Sequence, residues 1–441
     1  MSFPRYPAYR GSGHEWMERL PAHWDSLTGR RVFRQVRETP VDGDVQLSAT
    51  QKYGVVPQTL FMELEDQKVV LALSGVANFK RVQEDDFVIS LRSFQGGIEH
   101  SKYNGCVSPA YTVLRPIIPC RPKYFAYLLK AERYVTALQS VTDGIRDGKN
   151  ISYEQFGVIG LPIPSLDEQT AIATFLDHET AKIDALVAEQ ERLIELLKEK
   201  RQAVISHAVT KGLDPSVPMK DSGVEWLGEV PAHWAVGGLT RFIGPVIDYR
   251  GRTPTKVDEG VFLVTARNIR DGRIDYEASE EYVDPDSAAS LLARGAPEIG
   301  DVLFTMEAPL GQVALIDRTD IALAQRVVKF RATPNQLRNG YLLYWLMSTG
   351  CQSRLETLAT GSTALGIKAS KLGMIECLAP PLDEQESIVA LIQSESSRID
   401  SLVAEAQSAI TLFQERRTAL ISAAVTGQID VRGIAPQGAT A

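Results

Sequence analysis

The sequence predicts an α+β protein in which two β-rich globular segments are joined by two long helices that form an antiparallel coiled coil. Three observations predict this fold class. Residues 157–214 recur at 373–430, at an offset of 216 and without a gap, with 26 of 58 residues identical. Both copies carry apolar residues at coiled-coil spacing. Strand-forming runs fill the segments between them. The duplication also predicts a pseudo-twofold molecule whose two termini lie close together.

Each copy of the repeat has the start signals of a long helix. Ser165 with Glu168 has the spacing of a capping box, and Asp383 with Glu386 is predicted to act in the same way. A helix from Asp167 to Thr210 is about 66 Å long at about 1.5 Å per residue. A single rod of that length cannot bury its own apolar stripe, so the two copies are predicted to pair with each other.

The coiled-coil interface is predicted from apolar residues spaced three, four or seven apart. Its predicted members are Leu176, Ile183, Leu186, Leu193, Leu197, Val204, Ile392, Ile399, Leu402, Phe413 and Leu420. Gln190 interrupts the first stripe at the position where the second has Ala406. One interpretation is a polar residue that sets the register, and the other is a partly exposed glutamine.

A tryptophan motif is also duplicated: SGHEWMERLPAHW at 12–24 and SGVEWLGEVPAHW at 222–234. Two tryptophans around a proline are interpreted as a structural latch. His14 and Glu15 resemble the start of a zinc-binding H-E-x-x-H motif, but Glu18 stands where the second histidine is required.

These repeats divide the chain into seven predicted parts. The parts are the first tryptophan motif (1–24), a first globular domain (25–156), helical region 1 (157–214), a linker with the second tryptophan motif (215–234), a second globular domain (235–372), helical region 2 (373–430) and a tail (431–441). The two globular domains contain runs such as DDFVISLRSF and DVLFTM, and are predicted to close with helices at 122–142 and 339–360.

Composition restricts the class of protein. The 441 residues are 44% hydrophobic and 23% charged, which is typical of globular domains. No apolar run approaches 18 residues and no signal-peptide core is present, so we expect a cytoplasmic protein without a membrane partner. The four cysteines form no C-x-x-C pair and are interpreted as packing residues.

No catalytic motif is found. GSTALGIK at 361–368 resembles a phosphate-binding loop, but Ile367 stands where lysine is required. Dinucleotide, nucleophile-elbow and histidine-cluster motifs are absent from the sequence. We therefore expect binding rather than catalysis, with no cofactor or metal site in this chain.

The distribution of charge leaves DNA open as a ligand without demonstrating it, and polar loops supply candidate contacts. The net charge of −8 is concentrated in the repeats, since residues 373–430 hold 3 basic and 9 acidic residues, whereas 26–156 hold 17 basic and 14 acidic. Arginine, lysine, asparagine and glutamine in glycine-containing loops can contact base edges. The candidate DNA-binding residues are Ser93, Gln95, Lys102, Tyr103, Arg146, Lys149, Asn150, Arg250, Arg252, Thr253, Lys256, Arg267, Asn268, Arg270, Ser362, Thr363 and Lys368.

The combined pattern is similar to a known family. The W-x(4)-P-x-H-W motifs, the L-D-E-Q helix starts, the DFVISLRSFQGG and GDVLFTM runs and the twofold repeat resemble the specificity (S) subunit of type I restriction-modification systems. The resemblance covers residues 10–430.

The resemblance implies two target recognition domains, each recognising half of a split site in double-stranded DNA. It implies that the paired helices act as a ruler and dock two modification (M) subunits. Those subunits bind S-adenosylmethionine and methylate adenine, and restriction (R) subunits add ATP- and Mg-dependent cleavage. This chain would itself be non-catalytic, consistent with its lack of N-P-P-[YF] and ATPase motifs.

Two alternatives remain at this point. One is a specificity subunit of an orphan or BREX-like methyltransferase that works without a nuclease. The other is a scaffold that binds only polypeptides. Nearly neutral domains release few counterions from DNA, so the isolated chain is expected to bind DNA weakly.

Overall fold

The fold is taken from a computed structural model, which describes residues 3–65, 78–90, 97–141, 151–249, 254–324, 326–361 and 365–434. The chain divides into two compact units. Unit 1 comprises Met1–Gln190 and Ser408–Ala441, and unit 2 comprises Glu191–Gln407. Each unit therefore contains a globular domain together with part of each long helix.

Unit 1 contains the described elements that precede the first long helix. They are β1 (Tyr9–Gly11), β2 (Arg19–Pro21), β3 (Asp25–Thr28), α1 (Gly29–Val32), β4 (Phe33–Val36), β5 (Leu47–Thr50), β6 (Gly54–Pro57), α2 (Gln58–Glu65), β7 (Lys80–Val82), β8 (Phe87–Ile89), β9 (Ile98–His100), β10 (Gly105–Val107), β11 (Thr112–Pro116), α3 (Pro122–Leu128), α4 (Glu132–Ser140), α5 (Tyr153–Val158) and β12 (Gly160–Ile163). A 3-10 turn covers Glu15–Met17. The first long helix, α6 (Leu166–Lys211), begins in this unit and ends in unit 2.

Unit 2 repeats this plan with a different insert. Its elements are β13 (Met219–Asp221), β14 (Glu229–Pro231), β15 (Ala235–Gly238), β16 (Ile247–Asp248), β17 (Lys256–Val257), β18 (Val261–Val264), β19 (Ile269–Arg270), β20 (Arg273–Ile274), β21 (Tyr282–Val283), α7 (Pro285–Leu292), β22 (Val302–Thr305), β23 (Val313–Leu315), β24 (Ile321–Leu323), β25 (Val327–Phe330), α8 (Asn339–Met347), α9 (Thr349–Leu358) and β26 (Glu376–Ala379). Leu239–Arg241 and Ala369–Met374 form 3-10 turns. The second long helix, α10 (Leu382–Val425), begins here and ends in unit 1.

Both globular domains contain a four-stranded antiparallel sheet with the same plan. The strand order is β4-β11-β8-β9 in unit 1 and β16-β25-β22-β23 in unit 2. In addition, the strand after each tryptophan motif pairs with the strand before each long helix, β3 with β12 and β15 with β26. The common sheet was not evident in the sequence, because short buried strands accept many apolar residues in place of one another.

The inserts beside the common sheet differ. Unit 1 carries the β5–β6 hairpin followed by α2. Unit 2 carries a second four-stranded sheet, β17-β21-β18-β24, whose β18 and β24 run parallel. The predicted combination of a duplicated frame and unlike domains is therefore present within the two units.

The long helices pack against each other in antiparallel fashion within each unit. In unit 1, Ile172, Leu176 and Ile183 of α6 share one core with Leu420 and Val425 of α10. Two equivalent ion pairs accompany this packing. Arg417 donates to Asp184 at 3.0 Å in unit 1, and Arg201 pairs with Asp400 in unit 2. The coiled-coil fold class is confirmed.

Three predicted interface residues are wrong by one position. Leu186, Leu193 and Leu402 are 39%, 41% and 38% exposed. After Ile183 the next residue of the buried stripe is four positions further on and not three. Each of the three leucines is therefore replaced in the stripe by the residue that directly follows it. These residues are Val187, Ile194 and Val403. A shift of one residue rotates a side chain by about 100° around a helix with 3.6 residues per turn.

The remaining predicted interface residues lie on the buried side. Leu176, Ile183, Leu197, Ile392, Ile399 and Leu420 are buried, and Val204 and Phe413 are half-buried. Gln190 is half-buried on the same stripe, and its counterpart Ala406 is buried. This position agrees with either interpretation of Gln190.

The predicted serine cap is present in the first copy, where the Glu168 carboxylate accepts from the Ser165 hydroxyl instead of completing the capping box, and the predicted cap of the second copy is absent. The Ser165 hydroxyl accepts a hydrogen bond from the Glu168 amide at 3.3 Å. Asp383 was predicted to cap the second helix, but α10 already begins at Leu382. Asp383 lies in the first turn, where a carboxylate favours the positive end of the helix dipole. Glu386 instead forms an ion pair with Arg338.

The helices predicted at 122–142 and 339–360 are each broken into two. The first is divided between α3 and α4. The second breaks at Ser348, which is extended and accepts a hydrogen bond from the Cys351 amide as the cap of α9. A serine that caps its own chain favours a new helix start over continuation.

The described ends of the chain meet in unit 1, as predicted. The Asp430 amide donates to the Pro4 carbonyl at 2.8 Å. The Arg432 guanidinium lies 4.8 Å from the centre of the Tyr6 ring. The repeat thus closes on itself within one unit.

Candidate nucleic-acid interface

A carboxylate and an arginine hold the common sheet in each domain. Asp86 precedes β8 and accepts two hydrogen bonds from Arg115, both at 2.8 Å. Asp301 precedes β22 and accepts two from Arg331, at 2.6 and 2.8 Å. Planar guanidinium–carboxylate pairs of this kind position a strand as well as stabilise it. Sequence reasoning missed both pairs, although each aspartate opens a strand that it had identified.

Asp301 also binds a buried lysine. The Lys329 ammonium lies 2.8 Å from the carboxylate, and the two side chains are 5% and 1% exposed. Burial raises the pKa of Asp301, but hydrogen bonds from Arg331 and Lys329 outweigh burial and hold the pKa below its ordinary value. The Asp301 carboxylate therefore stays charged.

Each tryptophan motif is hydrogen-bonded to a glutamate in the first turn of a long helix. The Trp24 indole N–H donates to Glu168 at 3.2 Å, and His23 hydrogen-bonds the same carboxylate at 2.9 Å. Trp234 and His233 bind Glu384 in the same way, at 3.1 and 2.8 Å. Burial raises the pKa of Glu168, and the bonds from His23 and Trp24 lower it to a net value below normal. The interpretation of this motif as a structural latch is confirmed.

Two buried tyrosines tie the domains to the far ends of the long helices. The Tyr124 hydroxyl donates to the carbonyl of Val425 at 3.1 Å, and the Tyr341 hydroxyl donates to that of Val209 at 3.0 Å. Val209 and Val425 are equivalent positions of the two repeats. Each domain is therefore fixed to the end of one repeat and, through its glutamate, to the start of the other.

Many candidate DNA-binding residues lie outside the described residues, and for them the assignment stays a prediction. They are Ser93, Gln95, Arg146, Lys149, Asn150, Arg250, Arg252, Thr253, Ser362 and Thr363.

Three described candidates are exposed on loops. Lys102 and Tyr103 occupy the connection between β9 and β10. The Ser101 hydroxyl holds this loop by donating to the Tyr103 carbonyl at 2.8 Å. Lys368 is exposed at the start of the 3-10 turn Ala369–Met374. These positions are compatible with contact to a ligand.

Four further candidates lie in unit 2. Lys256 is exposed but pairs with Glu281 at 2.8 Å, and Arg267 and Arg270 are exposed beside β19. Asn268 requires a correction, because it is fully buried. Its amide oxygen accepts from Thr265, and its nitrogen donates to the carbonyls of Asp275 and Ser279. In this conformation Asn268 holds the loop and presents no amide to a base.

The β19–β20 hairpin adds an arginine that sequence reasoning missed. Ile269 faces Ile274 across the hairpin with both side chains buried, whereas Arg270 faces Arg273 with both exposed. The turn has positive φ at Asp271 and Gly272, 51° and 83°, as the short D-G hairpin turn requires. The Asp271 carboxylate lies 3.9 Å from Arg270 and offsets part of this charge. Like charges directly opposite each other destabilise a strand pair, and a bound anion would relieve the remaining cost. The alternation of isoleucine and arginine in N-I-R-D-G-R-I was the available signal.

No cluster of three or more histidine, cysteine, aspartate or glutamate side chains suited to a metal ion occurs in the described part of the chain. Cys106, Cys351 and Cys377 are buried and Cys120 is half-buried, in agreement with packing roles. Among the same described residues, no helix is long and apolar enough to cross a membrane.

A family comparison decides what this architecture is. Residues 41–196 and 295–410 match the model of the type I restriction modification DNA specificity domain. The chain belongs to this specificity family. Each matched stretch runs from a globular domain into the long helix that follows it, as the internal duplication requires.

Known specificity proteins resemble the chain over most of its length. The specificity subunit of the type I restriction enzyme EcoKI of Escherichia coli K12 is 22% identical over 370 residues, covering 80% of this chain and 77% of that protein. A structure from a study of complex assembly and conformational transition of the type I R-M system has a TM-score of 0.69 at 14% identity, covering 92% of this chain and 98% of the other. The HsdS subunit of Thermoanaerobacter tengcongensis has a TM-score of 0.53 at 15% identity, with the same coverages.

The resemblance inferred from the repeated motifs is confirmed. The chain is a specificity subunit of the type I restriction-modification class, and its two globular domains are its target recognition domains. It is thus a DNA-recognition component. The scaffold and orphan-methyltransferase alternatives are not favoured.

Proposed function

We propose that this specificity subunit recognises a bipartite site in double-stranded DNA, with one half-site contacted by each target recognition domain. The two paired helices act as the ruler between the half-sites. The chain carries out no chemistry of its own, and its role is to select the sequence on which its partners act.

One observation carries this proposal: a common frame supports unlike domains. The aspartate–arginine pair, the tryptophan latch and the buried tyrosine occur in both units with the same geometry. The inserts beside the sheets differ, a hairpin with α2 in unit 1 and a second sheet in unit 2. The repeated contacts would hold both domains in the same way, and the different inserts would let each domain recognise a different half-site of DNA.

The chemistry is assigned to partner subunits. Two M subunits dock on the long helices, bind S-adenosylmethionine and methylate adenine in the selected site. R subunits then complete an ATP- and Mg-dependent endonuclease. No cofactor is assigned to this chain. Its part is to hold the DNA and the partners in a defined arrangement.

The β19–β20 hairpin is proposed as one DNA contact of the second domain. Arg270 and Arg273 lie opposite each other on its exposed face, and Arg267 is exposed just before it. Arginine binds phosphate oxygens and the O6 and N7 atoms of guanine through paired N–H donors. The two-residue turn places the two arginines opposite each other, which suits contact with adjacent groups of a DNA strand.

Replacing Arg270 and Arg273 together by glutamine is expected to weaken specific DNA binding by the assembled methyltransferase by at least about tenfold. Loss of one phosphate contact is expected to reduce the slope of log K against log salt concentration by about one. Loss of one guanine contact is expected to cost about 1–3 kcal/mol of binding free energy and to relax specificity at one base position. Fluorescence anisotropy at several salt concentrations distinguishes the two. The thermal stability of the variant should not fall, since the like-charge pair is removed.

The matched control for the hairpin is Arg318→Gln, which removes an exposed arginine of the same unit that is paired with Asp320. Its DNA affinity is expected to stay unchanged. If the double variant retains both the affinity and the salt slope of the parent complex, the hairpin is not a DNA contact.

Methylome sequencing of a host that expresses this chain with its M partner tests the function itself. The expected result is one methylated motif of two unlike half-sites separated by a spacer of constant length. Exchange of residues 25–156 for the same domain of a relative is expected to change one half-site and leave the other intact. A contiguous motif, or loss of both half-sites on exchange, would contradict the proposal.

A further inference from the structure

A surface groove occurs at the same place in both units, away from the inserts that differ. In unit 1 it has a volume of about 750 Å³ and lies between the tryptophan motif and α4. In unit 2 it has a volume of about 760 Å³ and lies between the second tryptophan motif and α9. Volumes of this size match sites that hold a drug-sized ligand or several side chains.

One wall of each groove is the same four-residue pattern, Gly-x-Glu-Trp. Trp16 and Trp226 are half-buried there, and Glu15 and Glu225 are exposed beside them. The indole N–H of Trp16 donates inward to the Gly160 carbonyl at 3.1 Å. That of Trp226 donates to Glu376, also at 3.1 Å. Both rings are thereby fixed in position with part of the ring accessible.

The opposite wall is a helix face with two hydroxyl side chains one turn apart. They are Thr136 and Ser140 on α4, and Ser353 and Thr357 on α9, all exposed. The second hydroxyl of each pair donates to the carbonyl three residues earlier, at 2.8 Å in α4 and 2.7 Å in α9. The two grooves thus agree in hydroxyl positions as well as in the aromatic wall.

Carboxylates outnumber cations in both grooves. The charged residues of the lining are Glu15, Glu18, Glu132 and Arg133 in unit 1, and Glu225, Glu376 and Arg354 in unit 2. Arg354 is already paired with Glu376 at 3.0 Å. A duplex with its phosphates is repelled by such a surface, whereas a lysine or arginine is attracted to it. A cation beside the accessible part of the tryptophan ring gains a further attraction where it lies over the ring.

The presence of the same groove in both units indicates what kind of partner it binds. A surface that contacts DNA half-sites of different sequence differs between the two domains, as the inserts do. A surface with the same pattern in both units suits a partner that is present twice. In the proposed function that partner is the methyltransferase subunit, two copies of which bind one specificity chain.

We propose that each groove holds one copy of the same basic segment of the methyltransferase subunit. A lysine or arginine of that segment lies between the exposed glutamate and the tryptophan ring, and its neighbouring backbone contacts the two hydroxyls. This inference rests on the proposed function and adds to helix docking a second, separate attachment point for each subunit.

Charge reversal of the exposed glutamates tests the groove in the full-length chain with its methyltransferase partner. Native mass spectrometry is expected to show two bound subunits for the parent chain, reduced occupancy of one site for Glu15→Lys or Glu225→Lys alone, and reduced occupancy of both sites for the double variant at the same concentration. Titration calorimetry should show at least about tenfold weaker binding at each altered groove. Thr136→Arg with Ser353→Arg fills the opposite wall and is expected to have the same effect without altering the glutamates.

Glu63→Lys and Glu280→Lys are matched controls, because both glutamates are exposed and lie outside the two grooves. They are expected to leave two bound subunits. Thermal unfolding of each variant verifies that the fold is retained. If the parent binds two subunits and the double variants still bind two with unchanged affinity, the groove assignment is overturned. If the parent chain binds none, the proposed function itself fails.

Discussion

Insertion of one heptad into both long helices is expected to lengthen the spacer of the methylated motif by about three base pairs. The insertion points are after Gln190 in α6 and after Gln407 in α10, where each helix passes from one unit into the other. Seven residues keep the apolar stripe in phase and add about 10 Å of helix. At about 3.4 Å per base pair this corresponds to three base pairs. Methylome sequencing measures the spacer directly.

The heptad insertion also rotates one half-site relative to the other around the DNA, and a longer insertion should remove this mismatch. Three base pairs turn the second half-site by about 100° around a duplex of about 10–10.5 base pairs per turn. We therefore expect slower methylation than in the parent. Three heptads add about 31 Å, close to one DNA turn of about 34–36 Å, and should restore the rate while lengthening the spacer by about nine base pairs.

A heptad inserted into α6 alone serves as the control for the ruler. It leaves seven residues of α6 unmatched and is expected to lower the stability of the protein. If the doubly inserted protein assembles, binds DNA and methylates a motif with the original spacer, the two helices do not set the distance between the half-sites.

Asp301→Asn is expected to lower the free energy of unfolding of unit 2 by about 3–5 kcal/mol. The substitution removes the charge that neutralises Lys329, which is 5% exposed, and it weakens the paired hydrogen bonds from Arg331. Loss of one partner from a buried ion pair has a cost of this size because the other charge stays buried. Urea denaturation, with hydrogen exchange of β22 as a local probe, measures the loss.

Asp320→Asn is the matched control, since Asp320 pairs with Arg318 on the surface of the same unit. It should leave the urea midpoint nearly unchanged. An equal effect of both substitutions would show that burial of the Asp301 pair does not matter.

The same carboxylate predicts a pH dependence. The pKa of Asp301 is lower in the folded protein than its ordinary value of about 3.9. Its contribution to stability is therefore present above that ordinary value and is lost as the pH falls through the lower, folded-state pKa. As the pH falls below that ordinary value, the parent should lose more stability than Asp301→Asn, in which this group no longer titrates.

The predicted coiled-coil interface shows where sequence patterns reach their limit. Leucines 186, 193 and 402 fit an apolar repeat as well as their neighbours Val187, Ile194 and Val403 do. Because apolar residues are adjacent at these positions, either of two neighbouring helix faces could form the interface. Only contact with the partner helix selects one of them, and here it selects the residues one position later.

The sequence alone could not rank the candidate DNA-contacting residues. Arginine and asparagine are both usual base-contacting residues, so Arg270 and Asn268 had equal standing in the sequence. The structure separates them, because Asn268 lies inside its loop with its amide bonded to the backbone whereas Arg270 faces outward opposite Arg273. The residue type determines which groups a side chain can hydrogen-bond. The fold determines whether those hydrogen bonds are made within the protein or are left for a ligand.

Periodicity and duplication within the chain were sufficient to determine the two long helices, their antiparallel pairing, the meeting of the chain ends and the family. These features follow from patterns that extend over tens of residues, where many weak preferences add in one direction. Tertiary structure alone decided the common strand order of the two unlike domains, the aspartate–arginine pairs and the duplicated groove. Each of these depends on a few residues far apart in the chain, whose contacts exist only once the chain has folded.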